Sequence, residues 1–281
     1  MVVFLNGKFV AEAEAVVPLN DRGFLLGDGL FETMRVANGK TFRCAQHLER
    51  LMRGANFLKI RPPYTPKELE KSARQLIETN QMSEAILRVT LTRGAGARGY
   101  SPKNAGPPTM ALTLQPLPVQ NPDEPLQWSL VTSSWRIPAS DALASFKTTS
   151  KLLNVMARAE AEEKGADEAL LLNTNGEVAE TAGGNLFWVY QDKICTVPTG
   201  RGVLPGITRA VILEICQSLA LETNKRVIKA EHLRNACGLF VTNSALGIVP
   251  VAAFDGEPVA PSPLVDQIAG AYNEMVTRES A

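Results

Sequence analysis

The sequence is short of the residues on which several kinds of chemistry depend. It has two histidines, His47 and His232, neither with a second His, Cys or carboxylate at a liganding spacing, so no metal site is expected. The same shortage, with no G-x-S-x-G elbow, removes a serine triad. Both histidines are expected at the surface or as caps. The four cysteines, Cys44, Cys195, Cys216 and Cys237, show none of the paired spacings of zinc sites or disulfide scaffolds and read as reduced thiols. There is no excess of either charge: Lys+Arg and Asp+Glu both number 29, which argues against nucleic acid or an anionic membrane as the partner. No apolar run reaches the roughly 18 residues that span a bilayer, and "MVVFLNGKFV" lacks the basic stretch and apolar core of a leader. A cytoplasmic protein is expected, without repeats or low-complexity segments.

What is present is an ordinary globular composition, 45% apolar and 21% charged over 281 residues, enough for one large or two modest domains. "VVFLNGKFV" is a hairpin signal, because Asn6-Gly7 tolerates positive φ at both turn positions. "HLERLMRGANFLKI" carries Leu48, Leu51, Ala55 and Leu58 at helical spacing. "AILRVTLTRG" and "PTMALTLQP" read as strands flanking the glycine- and proline-laden loop "AGARGYSPKNAGP". After Leu114 the proline-rich, aperiodic "QPLPVQNPDEP" marks a boundary. An N-terminal α+β domain over 1–115, a linker over 116–125 and a larger C-terminal domain over 126–281 are expected.

The second half is more regular. Residues 152–164 predict a helix rich in strong helix formers and stopped by Gly165. Hairpins are expected at Asn175-Gly176 and Gln191-Asp192, a helix over "ITRAVILEICQSLA", and a buried strand opening "LFVTNSALGIVPV". Several elements here suit an anion. Pro205 and Gly206 precede the helix near Ile207, whose first N–H groups lack partners at the positive end of the dipole. "VTNSA" at 241–245 adds hydroxyls and turn N–H groups, and Arg50 and Arg53 of "HLERLMRG" offer guanidinium groups.

In their order along the chain, "DRGFLLGDGLFETMRV", "HLERL", "TRGAGARGYSP", "FKTTSKLLNVMARAEAEEKGADEALLLN", "GEVAETAGGNLF", "LPGITR" and "TNSALGIVPV" resemble the class IV aminotransferase family. These are fold-type IV enzymes that use pyridoxal 5′-phosphate (PLP), and they include branched-chain and D-amino-acid aminotransferases and aminodeoxychorismate lyases. The resemblance implies an α+β, two-domain fold like that of D-amino-acid aminotransferase. A smaller N-terminal domain would precede a C-terminal domain with a β-barrel-like core carrying Lys147 and Glu180. The cofactor would lie in the interdomain cleft.

Carried over residue by residue, the resemblance makes Lys147, and not Lys151, the buried Schiff-base lysine and the acid/base that moves the Cα proton. Glu180 would pair with the pyridine nitrogen. Arg50, Ile207, Thr208, Thr242, Asn243 and Ser244 would hold the phosphate. Phe31, Arg98 and Tyr100 would line the substrate site. Arg98 falls where D-amino-acid enzymes bind a carboxylate, but Tyr100 stands where they carry histidine; the branched-chain tyrosine after the lysine is also missing. "RGAGARGYSP" and "TNSALGIVPV" look most like aminodeoxychorismate lyase, although "KTTSK" replaces the usual "KHLNR". The expected partner is a small amino-carboxylate bound as an external aldimine, cleaved to 4-aminobenzoate and pyruvate. The alternative is transamination of D-amino acids or branched-chain L-amino acids with a 2-oxo acid. A homodimer is implied, with a neighbouring subunit's loop at the substrate mouth.

Overall fold

The computed structural model describes residues 1–118 and 126–281, so most of the expected linker, residues 119–125, lies outside the described residues. The chain divides into two compact units, Met1–Pro118 with Phe146–Lys151 and Val276–Ala281, and Val119–Ser145 with Leu152–Met275.

The first unit opens with the hairpin β1 (Val2–Leu5) and β2 (Lys8–Ala11), whose turn residues Asn6 and Gly7 both take positive φ. There follow α1 (Arg22–Leu26), β3 (Gly29–Ala37), β4 (Lys40–Thr41), α2 (Cys44–Phe57), α3 (Pro66–Asn80), β5 (Ala85–Thr92) and β6 (Thr109–Pro116). The strands form one antiparallel sheet in the order β2-β1-β6-β5-β3-β4. Period-2 alternation decides its two faces. Leu30, Met34 and Val36 of β3, Leu87, Val89 and Leu91 of β5 and Met110, Leu112 and Leu114 of β6 are buried in one core with Leu48, Leu51 and Ala55 of α2 and Leu69, Ala73 and Leu76 of α3. The opposite parity, Phe31, Thr33, Arg88 and Thr90, is only half-buried. A reciprocal Thr65–Glu68 capping box with Pro66 at the first turn starts α3.

Residues 146–151 join this unit because they cover the edge that β3 leaves open beyond its short pairing with β4. Leu30 bridges Thr148, the Phe31 N–H donates to the Lys147 carbonyl at 2.9 Å, and the Thr149 N–H donates to the Gly29 carbonyl at 2.9 Å. A boundary at 115–125 would assign these residues and the last six to the second domain. Long-range backbone pairing, which no local pattern records, places Lys147 with β3. At the C-terminal end Glu279 forms an ion pair with Arg43, accepting from Nη2 at 3.0 Å and lying 2.9 Å from Nε.

The second unit contains β7 (Trp128–Ile137), α4 (Leu152–Glu163), β8 (Glu168–Asn173), β9 (Val178–Thr181), β10 (Asn185–Tyr190), β11 (Lys193–Thr196), α5 (Ile207–Ser218), β12 (Thr223–Lys225), β13 (Leu239–Asn243), β14 (Gly247–Phe254), β15 (Glu257–Pro258) and most of α6 (Pro263–Glu279). The sheet order is β12-β11-β10-β13-β14-β7-β8-β9, with β15 on β14. Its sheet is mixed, since β7 runs parallel to both β8 and β14 while the hairpins are antiparallel. β8 is buried along its whole length, which explains its unbroken "EALLL" run where an exposed strand would alternate. Gln191 and Asp192 both take positive φ in the β10–β11 turn. Glu160 fastens α4 to β7, accepting from the Ser133 hydroxyl at 2.6 Å and the Ser134 N–H at 2.9 Å.

Candidate functional site

In the first unit the edge pairing of 146–149 with β3 brings Lys147 and Phe31 together. The Lys147 Nζ stands 4.7 Å from the Phe31 ring centroid, and the Arg88 guanidinium carbon stands 3.9 Å from the same centroid. Lys147 is half-buried, more open than a fully buried lysine, because one β-bridge and a bend hold it where a complete strand would bury it. Arg88 donates from Nε to Thr90 Oγ1 at 3.3 Å and pairs with no carboxylate among the described residues. Its burial pushes the guanidinium pKa down. A positive group stacked on an aromatic face beside a lysine suits an incoming anion.

Arg50 is on α2, over the core face of β3, where Glu32 points. Its Nε donates to Glu32 Oε1 at 2.8 Å and its Nη2 to Oε2 at 2.7 Å, a bidentate fork nearly excluded from water. His47, expected at the surface or as a cap, is instead buried, with Nδ1 2.7 Å from Glu32 Oε2. The reason is Glu32: a carboxylate on the inward parity of β3 needs donors, and one turn of α2 supplies both. Burial would raise the Glu32 carboxyl, but hydrogen bonds from Arg50 and His47 outweigh it and hold the carboxyl below its ordinary range. Burial lowers His47, so the imidazole is neutral and its Nδ1–H donates to the ionised carboxylate. The contact is therefore a hydrogen bond and not an ion pair. His232 is exposed, in a short 3₁₀ turn.

Arg98 and Tyr100 are exposed on the loop between β5 and β6, Tyr100 at 87%. The loop base is stitched to residues 20–28: the Arg22 N–H donates to the Gly94 carbonyl at 2.9 Å and the Gly96 N–H to the Asn20 carbonyl at 3.0 Å. Asp21, fully buried, accepts from the Thr92 and Thr109 hydroxyls at 2.9 and 2.7 Å and caps α1 through the Gly23 N–H.

In the second unit Asn185 is the hub. Its Nδ2 donates to Glu180 Oε2 at 3.3 Å and to the Leu204 carbonyl at 3.0 Å, while the Leu204 N–H donates to the same Glu180 oxygen at 2.9 Å. Asn185 also faces Thr242 across the β10–β13 ladder. Gly206, the N-cap of α5, sits so close that a Cβ there would lie 2.0 Å from Asn185 Oδ1. No side chain caps α5, which starts with Ile207 and the buried Thr208. One sheet end thus gathers Glu180, the α5 N-terminus and Thr242. The Thr242 Oγ1 is buried and has no hydrogen-bond partner among the described residues. A buried donor of this kind fits an anionic oxygen arriving from outside the protein, as a phosphate ester would provide. Asn243 instead uses its Oδ1 on the Ala245 and Leu246 N–H groups, shaping the turn that carries Ser244. The residues present therefore fit a phosphorylated pyridine cofactor.

Glu32, Arg22, Arg88 and Asn185 were not singled out by motif. Glu32 alone carried a local signal, a charged residue on the parity shared with Leu30 and Met34. Among the described residues no group of three or more His, Cys, Asp or Glu could hold a metal, and no helix is long and apolar enough to cross a membrane.

The family model for class IV amino-transferases matches residues 29–254. The chain is 33% identical to a putative branched-chain-amino-acid aminotransferase of Methanocaldococcus jannaschii, over 92% of this chain and 90% of that one. It is 30% identical to the D-alanine aminotransferase of Bacillus licheniformis, over 100% and 99%. Among solved structures it is similar to the T.th. branched-chain amino acid aminotransferase with pyridoxamine 5′-phosphate, at TM-score 0.93 and 28% identity over 98% of this chain and 94% of that one. It is also similar to a putative 4-amino-4-deoxychorismate lyase from Legionella pneumophila, at TM-score 0.86 and 27% identity over 94% and 96%. The expected α+β fold-type IV architecture is borne out.

Proposed function

Since the chain belongs to the class IV aminotransferase family of PLP-dependent enzymes, we propose that it is a transaminase, moving the amino group of a small amino acid to a 2-oxo acid. The observation that carries this reading is the pairing of Lys147 and Arg88 on the Phe31 ring, an amine for the chemistry beside a cation that suits an anionic substrate group, while Arg98 of the β5–β6 loop would take the substrate carboxylate. The bound cofactor supplies a protonated ring that accepts the electron pair left when the substrate Cα–H bond breaks. Lys147 would hold the cofactor and would be the group that moves the proton at the substrate Cα. Glu180, oriented by the Leu204 N–H and Asn185, would keep the pyridine nitrogen protonated. Thr208, Thr242, Ser244 and the first N–H groups of α5 would bind the phosphate, and Arg50 would add positive charge. Leu19, Phe24 and Leu25, all exposed, support a homodimer through this apolar stretch, which light scattering after size exclusion tests.

A second reading, aminodeoxychorismate lyase, is supported by Tyr100 in place of histidine and by the similarity to the Legionella protein. One experiment separates them. PLP-loaded protein is mixed with a panel of D- and L-amino acids, without acceptor, and its absorbance recorded. Conversion of the lysine-bound cofactor band to that of pyridoxamine 5′-phosphate by one class supports the transaminase and its handedness. An unchanged band with pyruvate release from aminodeoxychorismate supports the lyase. In the same assay Lys147→Ala is expected to lose the protein-linked band and Lys151→Ala to keep it; the reverse would refute the assignment of Lys147.

A further inference from the structure

The geometry points to Arg22 as a positioning residue that fixes the loop carrying Arg98 and, through Arg98, sets the affinity for the substrate carboxylate. This inference rests on the function proposed above and deepens it. The Arg22 side chain is 5% exposed and its donors are distributed over one acidic and three main-chain acceptors. Nε donates to Asp28 Oδ2 at 2.8 Å, Nη1 to the Gly99 and Ser101 carbonyls at 3.1 Å each, and Nη2 to the Tyr100 carbonyl at 3.1 Å. Three consecutive carbonyls converging on one planar guanidinium fix the peptide planes from 99 to 101 and hence the direction in which residue 98 leaves the loop. Arg98, Gly99 and Tyr100 are themselves exposed, so this hold comes from beneath the loop.

Two further features make the arrangement specific to arginine. Asp28 is shared: Arg93 donates to it from Nε at 2.8 Å and from Nη2 at 3.0 Å, and to the Leu58 carbonyl at 2.9 Å. The loop clamp is thereby tied through one carboxylate to the end of α2. The Arg22 stem also needs Gly96, where a Cβ would lie 2.7 Å from Arg22 Cδ. Lysine could reach one carbonyl, but its ammonium cannot span three carbonyls and Asp28 in one plane.

Freeing the backbone of one or two residues before binding lowers apparent affinity about ten- to a hundredfold. The test uses PLP-loaded protein and whichever amino-carboxylate the wild type turns over. Arg22→Met and Arg22→Lys are compared in the wild-type and Arg98→Ala backgrounds. Expected are an unchanged cofactor band, KM raised about ten- to a hundredfold with kcat within roughly threefold, faster trypsin cleavage after Arg98 and Lys103, and no further rise in KM once Arg98 is alanine. Arg22→Lys, the milder change, serves if Arg22→Met does not fold. An unchanged KM despite faster cleavage, or a rise that persists in full in the Arg98→Ala background, would overturn the role. A failed transaminase reading shows in the wild type, and a failed positioning role only in the variants.

Discussion

Replacing Glu32 by glutamine tests whether the buried fork beneath β3 is held by charge or merely by shape. Glutamine keeps the volume and one acceptor oxygen, but its amide must face either Arg50 Nε or the point where Arg50 Nη2 and His47 Nδ1 converge. His47 can change tautomer and accept; the guanidinium cannot. At least one Arg50 N–H is then unpaired and its charge has lost the adjacent carboxylate. Removing one partner of a buried pair costs about 3–5 kcal/mol, and the retained hydrogen bond puts this case at the lower end, ~3 kcal/mol. At about 2–4 °C per kcal/mol for a chain of this size, the melting midpoint should fall by roughly 6–12 °C. The assay is thermal melting followed by circular dichroism, with and without excess PLP, since bound cofactor stabilises by mass action. Glu32→Gln with Arg50→Met should recover part of the loss, because removing both charges leaves none stranded. A fall below about 1 kcal/mol, or a double variant as poor as the sum of the singles, would refute the reasoning, since both follow only if the stranded charge dominates.

The pH dependence of stability has the same sign at three groups. Glu32 lies below its ordinary value, so its contribution is present above that value and lost as pH falls through the lower folded one; neutral His47 likewise loses its contribution as pH drops below its ordinary 6.5. Glu160, where burial is outweighed by hydrogen bonds from Lys164, Ser133 and Ser134, is pulled down to about 2, so its contribution should fade between 4.5 and about 2. Ser133→Ala should flatten that acid limb in urea titrations at stepped pH. Thr242→Val should stabilise the cofactor-free protein by about 1 kcal/mol, by removing a hydroxyl without a partner, and weaken PLP binding about fivefold in a fluorescence titration. Opposite signs are the signature, and a loss in both would mean a merely structural hydroxyl. Gly206→Ala drives a methyl toward Asn185 Oδ1 and should cost about 1–3 kcal/mol, with reduced PLP affinity because Asn185 orients Glu180. Unchanged affinity would remove Asn185 from that role.

Elements set by neighbouring residues were legible in the sequence. The Asn6-Gly7 and Gln191-Asp192 turns needed positive φ, and α4 stops where glycine takes it at 165. The proposed site residues came from resemblance, because no local rule distinguishes Lys147 from Lys151. What could not be read was long-range pairing. Glu32 and Arg50 meet across 18 positions and Arg22 reaches the Tyr100 carbonyl across 78. His47 looked like a surface residue for the same reason: its burial depends on a carboxylate on a different element. The membership of residues 146–151 was hidden likewise, since their strand partner was made more than a hundred positions earlier.

That late addition bears on how the protein is made. A ribosome releases the first 118 residues with a nearly complete sheet, but the outer edge of β3 stays bare until 146–149 emerge, and Arg43 lacks Glu279 until the final turns of α6 are synthesised. Bare strand edges recruit other chains. The nascent first unit therefore passes through an interval in which this edge is open, until residues 146–149, Lys147 among them, cover it. Expression rate and chaperone supply, more than melting temperature, should then decide how much of this protein reaches a form able to bind its cofactor.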